Sequence, residues 1–286
     1  MVTVITGPTA SGKSALALAL AARDAGTIIN ADASQLYADL RVLTARPSAA
    51  EEAAVPHRLF GVLDGDVATS AAGWAAMAKG AIADTLAEGR RPILVGGTGL
   101  YLATLLHGIA PVPDIDSAVR DAVRALPTEA AAAALAREDA ALAARLRPTD
   151  RQRLLRGLEV VRGTGRSLLD WQQQRLGGIA DTIRLDAMVV ELPRAELHRR
   201  AEVRLGTMLD KGALDEVAAL VARRLPADRP ILRALGVPQL AAHLAGHLPL
   251  PDALAQIAAA TRQYQKRQST WARGQVPDWR RVEPGG

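Results

Sequence analysis

Gly7-Pro8-Thr9-Ala10-Ser11-Gly12-Lys13-Ser14 fills every fixed position of the phosphate-loop pattern G-x-x-x-x-G-K-[ST], and its two flanks decide the fold. Before it, the β-branched run Val2-Thr3-Val4-Ile5-Thr6 predicts a buried strand; after it, residues 14–23 are strong helix formers. A strand, a glycine-bearing loop and a helix in that order aim backbone N–H groups and the positive end of a helix dipole at an anion. Gly7 and Gly12 permit the turn, Lys13 supplies a mobile cation, and the Ser14 hydroxyl suits a Mg²⁺ ion beside a pyrophosphate. Residues 7–14 are therefore the expected diphosphate-binding segment. Kinases, nucleotide hydrolases and some transferases share such a loop, so the chemistry must be read elsewhere.

Working outward, residues 27–32 predict a second strand ending on Asp32, residues 70–88 a helix, 91–95 a third strand, and 100–106 a further helix. The alternation predicts an α/β fold with a P-loop NTPase-like core and a parallel sheet. Ligands of such sheets bind at the C-terminal rim of the strands, so Lys13, Asp32 and Thr98 should converge there. Pro111-Val112-Pro113 breaks the pattern, and residues 114–185 read as a helical insertion between core segments 1–113 and 186–286. In the resumed core, residues 186–192 predict a strand, and 194–224, 238–245 and 252–275 predict helices.

The chain has 286 residues, 49% of them hydrophobic but only 3% aromatic, so its core is expected to be aliphatic and helix-rich. It has no cysteine, which rules out disulfides and thiolate metal sites. With the loop at residue 7 and no long apolar run, the expectation is a cytoplasmic protein without a leader peptide or membrane span, acting as a monomer. The net charge of +5 is uneven: residues 1–113 carry 8 Lys and Arg against 9 Asp and Glu, so the excess lies downstream. A polyanionic partner bound by later segments accounts for that asymmetry, as does an arginine-rich solvated surface.

Three segments carry chemistry. Asp32, in Asp32-Ala33-Ser34-Gln35, can orient Mg²⁺ through water, take a proton from a nucleophile, or cap the next helix. Gln35 suits the edge of a base, or a cap on local backbone. Gly96-Gly97-Thr98-Gly99 stands where a nucleotide hydrolase ends a strand in a metal-holding acid, so the site is poor for hydrolysis. Its glycines would let a ligand approach closely, and the Thr98 hydroxyl could bond a leaving or bridging oxygen. Residues 145–166 hold seven arginines against Asp150 and Glu159. In the last helix Arg262, Lys266, Ser269 and Arg273 share one face, opposite Tyr264, Gln268 and Trp271. A cationic helix face suits phosphate contacts, and equally a solvated surface.

Taken together, these segments resemble the bacterial tRNA dimethylallyltransferases (tRNA isopentenyltransferases) over nearly the whole chain. The resemblance rests on residues 7–14, 32–37, Thr44-Ala45-Arg46-Pro47, Pro56-His57-Arg58-Leu59, 96–101, 150–160 and 261–273. It departs at Ala33 (serine in the family), Leu43 (glycine), Arg46 (lysine) and around Val237-Pro238, where a Gly-Tyr-basic run is missing. That family moves the dimethylallyl group of dimethylallyl diphosphate to N6 of adenine 37 in tRNAs that read codons beginning with U. The resemblance implies Asp32 as general base and Thr98 as its partner at the reacting centre, with Mg²⁺ on Ser14. It further implies tRNA contacts by Asp32, Ala33, Ser34, Gln35, Thr98, Arg120, Gln152, Arg153, Leu154, Leu155, Arg156, Arg262, Lys266, Arg267 and Arg273, with the insertion clasping the anticodon stem-loop. A P-loop kinase of a small metabolite is the main alternative, and a non-catalytic RNA-binding protein the third.

Overall fold

The computed structural model describes residues 1–284. Two compact units emerge: Met1–Leu105 with the chain from Ala180 onward, and Leu106–Ile179. In the first, β1 (Val2–Thr6), α1 (Lys13–Arg23), β2 (Gly26–Asn30), α2 (Ala49–Ala54), β3 (His57–Arg58), α3 (Ala71–Ala87), β4 (Arg91–Val95) and α4 (Gly99–His107) follow in turn. The second unit carries α5 (Ser117–Arg124), α6 (Thr128–Glu138), α7 (Ala140–Ala143), α8 (Arg151–Thr164) and α9 (Leu168–Gln172). The first then resumes with β5 (Leu185–Val190), α10 (Arg194–Asp210), α11 (Ala213–Ala222), α12 (Val237–Leu244), α13 (Leu250–Gln275) and β6 (Arg280–Val282).

All six strands are parallel, in the order β3-β2-β4-β1-β5-β6. Every residue of β1 and β2 is buried, as a parallel sheet covered on both faces requires. Ile5, Ile28, Ile93, Val95, Met188 and Val190 form its core with Ala17 and Ala21 of α1. The register sets Val95 beside both Ile5 and Asn30, so the loops after β1, β2 and β4 leave the sheet at one level. This alignment gathers the phosphate loop, Asp32 and Thr98 at one rim.

Four details differ from the sequence reading. The edge strands β3 and β6 were not predicted, because two or three residues are too few to show alternation. The single helix predicted over 194–224 is two helices, divided at Gly212, whose φ of 91° no continuing helix adopts. The compact helical unit is 106–179, where the sequence placed an insertion at 114–185; its first residues belong to the end of α4 rather than to the break at Pro111. The paired glycines 96 and 97 make room for protein: a Cβ at Gly96 would overlap the Ala31 carbonyl, and one at Gly97 the Gln268 amide.

The helical unit has its own core of Val123, Leu135, Leu142, Leu154 and Leu158, with Ala131 and Ala134 allowing close helix approach. Asp150 caps α8 by accepting the Arg153 amide, and Gly165 at φ 68° ends it. Leu154, expected to touch tRNA, is 2% exposed inside this core, because the helix turns that side chain inward with Leu158. Among the described residues no helix is long and apolar enough to cross a membrane.

Candidate active site

The rim of the sheet opens into a cavity lined on one side by Thr9, Lys13, Ser14, Asp32 and Ser34. Leu43, Val95, Leu205, Met208, Leu235 and Ile257 line its apolar side. The phosphate loop takes positive φ at Gly7 (151°) and Gly12 (92°), which glycine adopts freely, and at Ala10 (67°), which carries the strain. Its amides are not all available. The Thr9 N–H donates to Gln268 Oε1 at 2.8 Å and the Ser11 N–H to the Pro8 carbonyl at 3.1 Å. Ala10, Gly12, Lys13 and Ser14 keep N–H groups without a partner among the described residues. Ser11 contributes no side chain to the cavity, since its hydroxyl is fully buried under the loop.

Lys13 lies 3.3 Å from the Pro8 carbonyl through Nζ. Burial lowers its pKa to about 8; the Asp32 carboxylate opposes that shift and the Arg204 guanidinium adds to it. Arg204, on α10, is a cavity residue that sequence reasoning missed. Burial weakens its hold on its proton, while Asp32 strengthens it. A signal existed: Ala201, Leu205 and Met208 make one apolar helix face, and Arg204 interrupts it with a charge.

Asp32 is fixed from beneath. Buried Asn30 accepts the Asp32 N–H at 2.8 Å, and its amide donates to the carbonyls of Asp32 and Leu59 at 2.9 and 3.0 Å. Trp74 in turn donates to the Asn30 carbonyl, and its ring stacks on Tyr101 at 4.7 Å. Asp32 Oδ1 accepts the Ser34 N–H at 3.0 Å, so the local-cap role is real but takes one oxygen. Thr98 Oγ1 accepts the Ala33 N–H at 3.0 Å, tying the ends of β2 and β4 together beside the carboxylate.

Gln35 does not offer its N–H groups to a base. Both protons go to protein, to the carbonyls of Thr44 and Ala45 at 2.9 Å each, because the 41–46 segment folds back over it. Tyr264 of α13 reaches the same place: its phenol meets the Thr98 and Gln268 side chains, and burial pushes its pKa up, the Asp32 charge adding to the rise. On the far side of Tyr264, a second hollow is lined by Ala33, Ser34, Tyr37, Tyr101, Arg233 and Arg267. Arg267 sits here, apart from the face of Arg262, Lys266 and Arg273, with its guanidinium 5.5 Å from the Tyr264 ring centre.

Arg262, Lys266 and Arg273 do share a face, in a groove between α13 and α10 with Arg194 and His198. Arg262 is paired at 3.5 Å with Glu202, whereas Lys266, Arg273 and Arg194 have no ion-pair partner among the described residues. In the helical unit, Gln152, Arg153 and Arg156 are exposed, and the two arginines make only loose 3.5 Å pairs with Asp150 and Glu159. Arg120 is turned onto the Ile115 carbonyl at 2.6 Å, and Leu155 packs at the edge of the core.

A divalent ion fits the loop side of the cavity. No cluster of three metal-binding side chains exists among the described residues, but Mg²⁺ typically takes one or two protein oxygens and completes its shell with phosphate and water. Ser14 and Asp32 line that cavity, and Ser14 Oγ and the second Asp32 oxygen have no other bond among the described residues.

Comparison with known proteins agrees with this layout. The IPP transferase family profile matches residues 35–275, and the isopentenyl transferase profile residues 1–67. A tRNA dimethylallyltransferase of Sphingopyxis alaskensis is 60% identical over 96% of this chain and 90% of its own length. One of Zymomonas mobilis is 52% identical over 97% and 89%. The crystal structure of a tRNA isopentenylpyrophosphate transferase from Staphylococcus epidermidis superposes with a TM-score of 0.69 at 29% identity, covering 99% of this chain and 92% of that one. The phosphate loop, the carboxylate beyond β2 and the threonine beyond β4 thus belong to a chain that is a member of the IPP transferase family, alongside the tRNA dimethylallyltransferases.

Proposed function

We propose that the protein transfers the dimethylallyl group of dimethylallyl diphosphate to N6 of adenine 37 in tRNAs reading codons that begin with U. The observation that carries this is one cavity joining an anion loop and a fixed carboxylate to an apolar wall. A phosphoryl acceptor would need polar lining where Leu43, Leu205, Met208 and Ile257 stand, and β4 is followed by Gly96 instead of a metal-holding acid.

The diphosphate occupies the loop, bonded by the open amides of Ala10, Gly12, Lys13 and Ser14. Lys13 and Arg204 face the oxygens that gain charge as the allylic C–O bond breaks, where fixed cations stabilise the developing charge. Mg²⁺ held by Ser14, with Asp32 near, would add neutralisation of the leaving pyrophosphate. The N6 lone pair forms the new bond to the allylic carbon, and Asp32 takes the N6 proton, so pyrophosphate leaves with the electron pair of the broken bond. The Thr98 hydroxyl, bonded to the Ala33 amide and the Tyr264 phenol, holds the attacking amine's surroundings in place.

The aromatic and arginine-lined hollow beside Tyr264 suits a purine turned out of the anticodon-loop stack. The Arg262, Lys266 and Arg273 groove suits the phosphate backbone. In the helical unit, the exposed Gln152, Arg153 and Arg156 suit phosphate contacts of their own. Incubation with unmodified tRNA, Mg²⁺ and dimethylallyl diphosphate should add one dimethylallyl mass at the adenine 3′ of the anticodon. Phosphate transfer from ATP to a metabolite with no such mass gain would refute the reading.

A further inference from the structure

Glu159 of α8 is a buried acid, set between Leu158 and Val160, which are both fully buried. A carboxylate so placed is costly unless cations meet it. Two do: Arg124 Nε on α5 donates to its Oε1 at 3.1 Å, and a terminal nitrogen of Arg156, one turn earlier on α8, donates to its Oε2 at 3.5 Å. The burial is one-sided. The side chain of the acid is 8% exposed, whereas those of Arg124 and Arg156 are 53% and 45% exposed. An approaching anion therefore meets two cations, and the acid that holds them lies beneath. Neither guanidinium has another partner among the described residues, so each keeps most of its five N–H donors.

The backbone that carries Arg124 is held as well. Val123 beside it is buried in one cluster with Leu154 and Leu158 of α8, and the Arg151 guanidinium donates to the carbonyls of Arg124 and Leu126 at 2.8 and 2.5 Å. Gln152 and Arg153, exposed on α8, stand within one turn of Arg156. Balancing the charge of Glu159 needs one arginine; the second leaves the trio positive. Two guanidiniums on the two oxygens of one acid present parallel donors that match the two free oxygens of a phosphodiester. We propose that Glu159 is a positioning residue, which sets Arg124 and Arg156 side by side as a site for one phosphate of the RNA backbone, with Arg124 as a contact in its own right. This rests on reading the protein as one that binds tRNA.

The test measures tRNA affinity by filter binding over a salt series, together with kcat and both KM values in the transfer assay. Charge counting alone predicts that Glu159→Gln, which removes an acid from a surface that meets a polyanion, tightens tRNA binding. Positioning predicts the opposite sign: binding about fivefold weaker or more, the cost of ordering two freed arginine side chains, with kcat at saturating tRNA and the donor KM in place. Arg124→Gln, at an exposed side chain, should weaken binding and lower the slope of log affinity against log salt by about one. Tighter or unchanged binding by Glu159→Gln overturns the proposal. So does an unchanged affinity and slope in Arg124→Gln, which decides the matter alone if the first variant does not fold. Failure of the unaltered protein to bind or modify tRNA would instead refute the proposed function, and this site with it.

Discussion

Gln268 holds Thr9: its Oε1 accepts the Thr9 N–H at 2.8 Å while its Nε2 donates to the Gly97 carbonyl at 3.1 Å. A single buried amide on α13 thereby locks the phosphate loop to the end of β4. Gln265, one turn earlier, adds a bond to the Thr9 carbonyl at 3.0 Å. Gln268→Ala leaves two buried groups unmatched, which costs about 1–3 kcal/mol of stability. Chemical denaturation should read that loss, and pyrophosphate affinity should fall with it; unchanged affinity would show that the loop holds its shape unaided.

Lys13 gives a pH dependence of known sign. Its pKa is lowered to about 8 by burial, so without ligand it gives up its proton as pH rises through 8. Bound pyrophosphate favours the charged form and raises that pKa. Binding at pH 9 should therefore take up about one proton, visible as a buffer-dependent heat in calorimetry. Well below pH 8 the uptake should vanish, because the lysine is already protonated. The folding linkage has the opposite sense to that of a stabilised lysine: between pH 8 and the ordinary lysine range the unfolded chain binds more protons, so the ligand-free protein gains stability as pH rises there.

Asp32→Asn keeps the shape of the side chain and removes its basicity. Turnover should fall by about 10²–10⁴, the usual contribution of a positioned general base. Filter binding of tRNA should hardly change; a parallel loss of tRNA affinity would assign Asp32 to binding. Asn30→Ala removes the cradle beneath Asp32 and should lower kcat more than it alters either KM.

The groove between α10 and α13 predicts a salt effect. Lys266→Glu combined with Arg273→Glu should weaken tRNA binding and reduce the slope of log affinity against log salt by about two, one for each phosphate that the variant no longer neutralises. An unaltered slope would remove this face from the interface.

Much of this was legible in the sequence, for a physical reason. The phosphate loop, Asp32 and Thr98 each sit directly after a short buried strand, and parallel strands in register bring such positions together whatever the intervening chain does. The cationic face of α13 followed from helical spacing alone. What stayed hidden depends on which way a side chain turns in tertiary contact. Gln35 is drawn to the Thr44 and Ala45 carbonyls, Leu154 into the helical core, and Arg204 from an apolar stripe into the cavity. Glu216 gave no local signal, since the backbone N–H groups of Arg41, Val42 and Leu43 that donate to it lie more than 170 positions away.

The bond from Thr9 to Gln268 spans 259 positions. On the ribosome the loop is made that many residues before its latch, so at about 5–20 residues per second the nascent chain carries an unfastened loop for tens of seconds. The Thr9 end of the loop is fastened only when α13 has been made, so the loop and the cationic face of that helix reach their final form together.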